Sequence, residues 1–187
     1  MNRIRPFATP GTALALATAL TLALAPSLPA EEMAADGGKL GLKVEIPRLN
    51  VAEYHRPYVA AWVQGPGGKD VVDLAVWYQV KDTGDEAGTK WLPDLRQWWR
   101  RSGRNQQIPV DAVTGPTPPT GERTVKIDAD QLAKLPAGEL TLVVEAVREV
   151  GDREILEIPF TWPPREAGAF QAQGKKELGK ITLTVAP

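Results

Sequence analysis

Glu139-Leu-Thr-Leu-Val-Val-Glu-Ala-Val-Arg148 is the run on which the fold turns. Its Leu and Val residues give a nearly continuous apolar segment that reads as a buried strand. Gly151-Asp152 then supplies a turn before Glu154-Ile-Leu-Glu-Ile-Pro-Phe160 resumes the pattern, which predicts a hairpin. Upstream, Leu40, Leu42, Val44 and Ile46 alternate with Gly41, Lys43 and Glu45, the period of a half-buried strand. Tyr58-Val-Ala-Ala-Trp-Val63 and Val71-Val-Asp-Leu-Ala-Val-Trp-Tyr-Gln-Val80 flank Gly65-Pro-Gly-Gly-Lys69 and predict a second hairpin. Residues 123–128 and 178–185 are further strand candidates, the last with Ile181, Leu183 and Val185 on one face. About seven strands separated by turns predict an all-β, immunoglobulin-like sandwich.

Two stretches break the pattern. Lys90-Trp-Leu-Pro-Asp-Leu-Arg-Gln-Trp-Trp-Arg-Arg101 spaces Trp91, Leu95, Trp98 and Trp99 as on a helix, with Pro93 in its first turn, so residues 93–101 are predicted helical. Pro109, Pro116, Pro118 and Pro119 make residues 105–123 a Pro-rich loop that cannot be a central strand. Pro163-Pro164 and residues 165–176 are read as a second, mobile loop.

At the N-terminus, Arg3 and Arg5 precede an uncharged stretch that is largely Ala, Leu and Thr and that Pro26 and Pro29 close. This is the form of a secretory signal, too short to span a bilayer. Cleavage is expected near Ala30, with Ala34 and Ala35 as alternatives, leaving a lead at 31–38, one domain at 39–187 and no spanning segment. Loss of two arginines moves the formal charge from -1 to -3, which argues against nucleic acid as a partner. The chain has no Cys, one His (His55) and two Ser (Ser27 and Ser102). Thiolate metal sites, cysteine nucleophiles and disulfides are excluded, and a hydrolytic triad has only Ser102 and His55 to draw on. A single imidazole argues against a metal site, and the polypeptide is expected not to be an enzyme.

Asp111-Ala-Val-Thr-Gly-Pro-Thr117 lies in the Pro-rich loop. It resembles the sequence on which bacterial flavin transferases attach FMN, through its phosphate, to a threonine. Asp111, Thr114, Gly115 and the acceptor Thr117 match, and Pro116 departs from the usual Ala. A phosphoryl acceptor requires an exposed hydroxyl on a pliable loop, and glycine beside it lets backbone approach closely. The same residues also read as an ordinary turn.

His55-Arg-Pro-Tyr-Val-Ala-Ala-Trp62, residues 90–99, Asp111-Ala-Val-Thr-Gly115 and residues 135–149 together resemble the predicted periplasmic family called domain of unknown function 2271. That resemblance implies an immunoglobulin-like fold and a setting beside flavin transferases and PepSY-type membrane reductases. Two functions follow. The first is an extracytosolic electron-transfer protein carrying covalent FMN on Thr117, with a flavin transferase and a PepSY-type reductase as partners. The second is a cofactor-free module that binds a protein or ligand in the envelope. Trp98 and Trp99 are adjacent, so a helix cannot bury both on one face, and one is expected near the Thr117 loop where a flavin ring would stack. Arg96, Arg100, Arg101 and Arg104 form a basic cluster able to hold a phosphate, and His55 is read as a structural residue at a sheet corner.

Overall fold

A computed structural model describes residues 38–80, 88–110 and 113–187. The predicted signal at 1–30, most of the lead at 31–38 and Asp111 lie outside the described residues. These contain nine strands: β1 (Lys39–Ile46), β2 (Tyr58–Gln64), β3 (Val72–Tyr78), β4 (Thr114–Pro116), β5 (Gly121–Val125), β6 (Gly138–Val147), β7 (Arg153–Trp162), β8 (Gly168–Gln173) and β9 (Lys180–Ala186). Two short helices, α1 (Arg96–Arg101) and α2 (Ala129–Ala133), join them, and a 3-10 segment, Gly88–Asp94, precedes α1.

The strands form two sheets, ordered β5-β1-β9-β8 and β4-β3-β2-β6-β7, and the fold is an all-β sandwich. Their inner faces supply the main core, in which Leu42, Val44, Leu142, Ile181 and Leu183 are fully buried. Each such side chain contributes about 1.5–3 kcal/mol by leaving water. The alternation read in β1 is the observed burial pattern, with Leu40, Leu42, Val44 and Ile46 inward.

β2 is buried on both faces. Val59, Ala61 and Val63 point into the sandwich, while Ala60 and Trp62 point outward beneath a second apolar cluster. Leu92, Leu95 and Trp98 form the other half of that cluster. The segment 88–101 is thus a third layer on the five-stranded sheet. Glu145 of β6 ties it down: its carboxylate is fully buried and accepts from Gln97 N (3.1 Å) and Trp98 N (2.8 Å), the free donors at the start of α1. The expected helix at 93–101 is confirmed from Arg96 onward, with 3-10 geometry before it.

Residues 105–123 hold no central strand, as expected, but they are not wholly loop, and the reading of 165–176 as a loop needs correction. β4 forms inside the Pro-rich loop as an edge strand parallel to β3, pairing Val76 with Thr114 and Tyr78 with Pro116. Pro116 is tolerated there because an edge strand does not need every N–H. The second loop contains β8, an edge strand paired with β9 along its whole length. α2 begins with a reciprocal cap in which Gln131 N donates to Asp128 and Asp128 N to the Gln131 side chain.

Candidate functional site

Antiparallel register brings the start of β2, the end of β6 and the start of β7 to one end of the five-stranded sheet: Tyr58 pairs with Val147, and Val147 with Arg153. The end of β3 lies there too, since Val59 pairs with Trp77, and β4 delivers Pro116 beside Tyr78. Together with the 3-10 segment, these strand ends surround a cleft of about 1010 Å³, the upper end of the range for small-molecule sites.

Aromatic rings and arginines dominate the wall. Tyr54, Tyr58, Tyr78 and Trp91 line it with Arg56, Arg96, Arg148 and Arg153. Tyr54 and Trp91 are 40% and 42% exposed at the mouth, and Tyr78 is buried. The rings of Tyr58 and Tyr78 lie 6.1 Å apart and tilted. Burial pushes the Tyr58 phenol above its ordinary value, and the Glu149, Tyr78 and Asp94 side chains add to the rise. Burial alone raises Tyr78. Both phenols therefore stay protonated through the neutral range and present O–H donors.

The cations differ in how they are held. Arg153 Nε meets Glu145 at 2.6 Å, and Arg148 Nε meets Glu177 at 2.8 Å. Arg56 Nη1 instead donates to the Thr117 carbonyl at 3.3 Å, and neither Arg56 nor Arg96 has a carboxylate partner among the described residues. His55 sits between two acids, with Nε2 3.0 Å from Glu53 and Nδ1 3.4 Å from Glu149. The cleft thus offers flat apolar surface, two phenolic donors and two guanidinium groups without a carboxylate partner among the described residues, an arrangement suited to a planar aromatic ligand with an anionic end.

Thr117 and Pro116 line this cleft. The expectation of an exposed hydroxyl at Thr117 is corrected: the residue is 4% exposed, because pairing beside β3 turns its side chain inward, where the hydroxyl donates to the Pro57 carbonyl at 2.8 Å. Its N–H donates to Tyr78 O at 3.3 Å, which extends the β3–β4 pairing by one residue. Thr114 closes the preceding loop, accepting from Val110 N at 2.9 Å. A Cβ on Gly115 would meet only Trp77, at the ordinary distance of 3.8 Å, so packing alone does not require glycine there.

Trp98 and Trp99 are not brought to Thr117. Trp98 is fully buried, with its indole N–H donated to Asp73 at 3.0 Å, and Trp99 packs half-buried against the same cluster. Neither lines the cleft. Of the basic cluster only Arg96 does, since Arg101 binds the Gly67 and Gly68 carbonyls and Arg100 the carbonyl of Arg96. Ser102 donates to Asp73 at 2.5 Å and contacts Gln106, whereas His55 lies with Glu53 and Glu149. The Ser102 and His55 pairing is not assembled. Tyr54, Arg56, Tyr58, Tyr78 and Trp91 were not singled out by the sequence as site residues. The one signal for them was that each lies within a few residues of the end of a predicted element.

A family model described as "Predicted periplasmic protein (DUF2271)" matches residues 39–180. No curated protein and no solved structure matches the chain. No helix among the described residues is long and apolar enough to cross a membrane.

Proposed function

The chain belongs to the DUF2271 family of predicted periplasmic proteins, and from that premise we propose that it is an extracytosolic electron-transfer component carrying FMN covalently on Thr117. One observation supports this most: the threonine singled out by its motif lies in the wall of the cleft that holds the aromatic rings and the arginines. FMN bound there would supply reversible one- and two-electron transfer.

The residues present fit such a group. Arg56, held at the Thr117 carbonyl, puts a cation beside the acceptor side chain, and Arg96 adds a second to the same cleft. Tyr54 and Trp91 replace Trp98 and Trp99 as the rings available for stacking. The phenols of Tyr58 and Tyr78 serve as neutral donors. Attachment requires the Thr117 hydroxyl to leave Pro57, at a cost of about 1 kcal/mol for one neutral hydrogen bond. In this reading the polypeptide is a carrier, a flavin transferase loads it and a PepSY-type membrane reductase supplies its electrons.

The test is the intact mass of protein co-produced with a flavin transferase, beside a Thr117→Ala control. An increment equal to esterified FMN on the parent chain, absent from the variant, is expected. No increment, or one that survives the substitution, refutes attachment. A second reading, a cofactor-free binding module, is favoured by the burial of Thr117 and its bond to Pro57. An unmodified Trp91→Phe protein with lower tryptophan emission quenching than the parent chain on saturation with a free planar anionic ligand supports a ligand-binding module instead.

A further inference from the structure

We propose that Arg148 forms the floor of a phosphate subsite in the cleft, reached when the turn at residues 149–151 lifts from its guanidinium, and that the ligand is a phosphate monoester bound reversibly. The proposal uses the cleft but not attachment at Thr117, so each stands or falls separately.

Arg148 is 7% exposed and lines the cleft. Its Nε and Nη2 donate to the two Glu177 oxygens at 2.8 and 3.1 Å, yet Nη1 has no partner. Among the described residues it is the buried side-chain nitrogen left unsatisfied. A buried donor without an acceptor is costly and uncommon in folded proteins. A carboxylate already occupies one edge of the guanidinium, so an oxyanion at Nη1 completes the fork.

The turn above it carries a second anomaly. Val150 is 81% exposed and has φ +52, a left-handed conformation that β-branched residues rarely adopt. Glycine would bear that conformation more easily, but glycine stands next door, where a Cβ at 151 would fall 2.6 Å from the Arg148 guanidinium carbon. The turn is therefore pressed onto Arg148, with Val150 absorbing the strain. Below the tip the hairpin is firmly held, by Arg148 N to Asp152 O at 3.2 Å and Asp152 N to Glu177 at 2.8 Å. The tip itself is retained by the Gly151 N to Arg148 O bond and by the Glu149 contact to His55. Gly151 lies nearest Cζ, Nη2 and Nε, so in this proposal lifting the tip uncovers the guanidinium face, gives an anion a way to Nη1, relaxes Val150 and carries the Glu149 carboxylate away. Arg56 and Arg96 supply positive charge in the same cleft, and Asp94 is the carboxylate that stays.

Isotope-labelled protein produced without a flavin transferase, and so unmodified at Thr117, is titrated with inorganic phosphate, free FMN and riboflavin while the Arg148 Nε–H and the Val150 and Gly151 amides are followed by NMR. Phosphate and FMN are expected to shift these signals saturably, and riboflavin, which lacks the phosphate, to leave the Arg148 signal in place. Arg148→Lys keeps a cation for Glu177 but loses the fork, and should weaken phosphate binding about tenfold. Gly151→Ala props the turn off the guanidinium and should tighten it. Unmoved Arg148 and Val150 signals, or undiminished binding in Arg148→Lys, overturns the subsite. Unchanged or weaker binding in Gly151→Ala overturns the lifting turn. Should Arg148→Lys fail to fold, the parent titration and Gly151→Ala still decide the matter.

Discussion

Glu145 brings a carboxylate into an apolar layer and has to be paired there. Its partners are two main-chain donors of α1 and the Arg153 guanidinium, so the charge serves as a pin between helix and sheet. Glu145→Ala orphans the buried Trp98 N–H and should cost about 3 kcal/mol in denaturant unfolding. Glu145→Gln keeps an acceptor for the helix and should cost less. At the cleft, Thr117→Val removes the donor to Pro57 and should cost about 1 kcal/mol, whereas Thr117→Ser should be close to the parent chain. The motif around Thr117 was legible because it is local in sequence. The cleft that gives Thr117 its neighbours was not, because Tyr54, Tyr78, Trp91 and Arg148 meet only through sheet register.

At the scale of elements, β6 and β7 were readable almost to the residue, since a long aliphatic run and a Gly-Asp turn leave few alternatives. β8 was not: Gly-Ala-Phe-Gln-Ala-Gln is a weakly apolar edge strand with no buried residue, and its existence depends on pairing with β9. The connection from β8 to β9 is organised by Glu154 of β7. Burial pushes the Glu154 carboxyl up, but four main-chain donors, from Lys175, Lys176, Glu177 and Leu178, outweigh it and hold the group below its ordinary value of 4.5. A carboxyl lowered on folding contributes stability that is fully present above about pH 4.5 and is lost as pH falls through the lowered folded value. Acid titration of stability should therefore be shallower in Glu154→Gln than in the parent protein, with the two curves parallel near neutrality. A steeper acid transition in the variant would contradict the role given to those donors.

At the scale of the whole molecule, two apolar clusters share the five-stranded sheet, one inside the sandwich and one beneath the segment 88–101. Tyr58-Val-Ala-Ala-Trp-Val63, read in the sequence only as one strand of a hairpin, is an unbroken apolar run covered on two sides. What supplied the second cover was not evident until Leu92, Leu95 and Trp98 were seen packed on it. Leu183→Ala, in the inner cluster, should cost about 2–5 kcal/mol, and Trp98→Ala, in the outer one, about 3–5. If the layers unfold together, both substitutions lower the midpoint of one transition by all probes; separate transitions would show the outer layer to be an independent unit. With no cysteine in the chain, reductant should change neither midpoint. The parallel β4 strand bears on chronology. It can dock only after β3 has taken its place, and its docking is what sends the Thr117 hydroxyl to Pro57. Under the proposed attachment, an enzyme that meets the chain before β4 docks finds that hydroxyl free, and one that arrives later finds it engaged, so the order of folding and encounter governs what can be written on this residue.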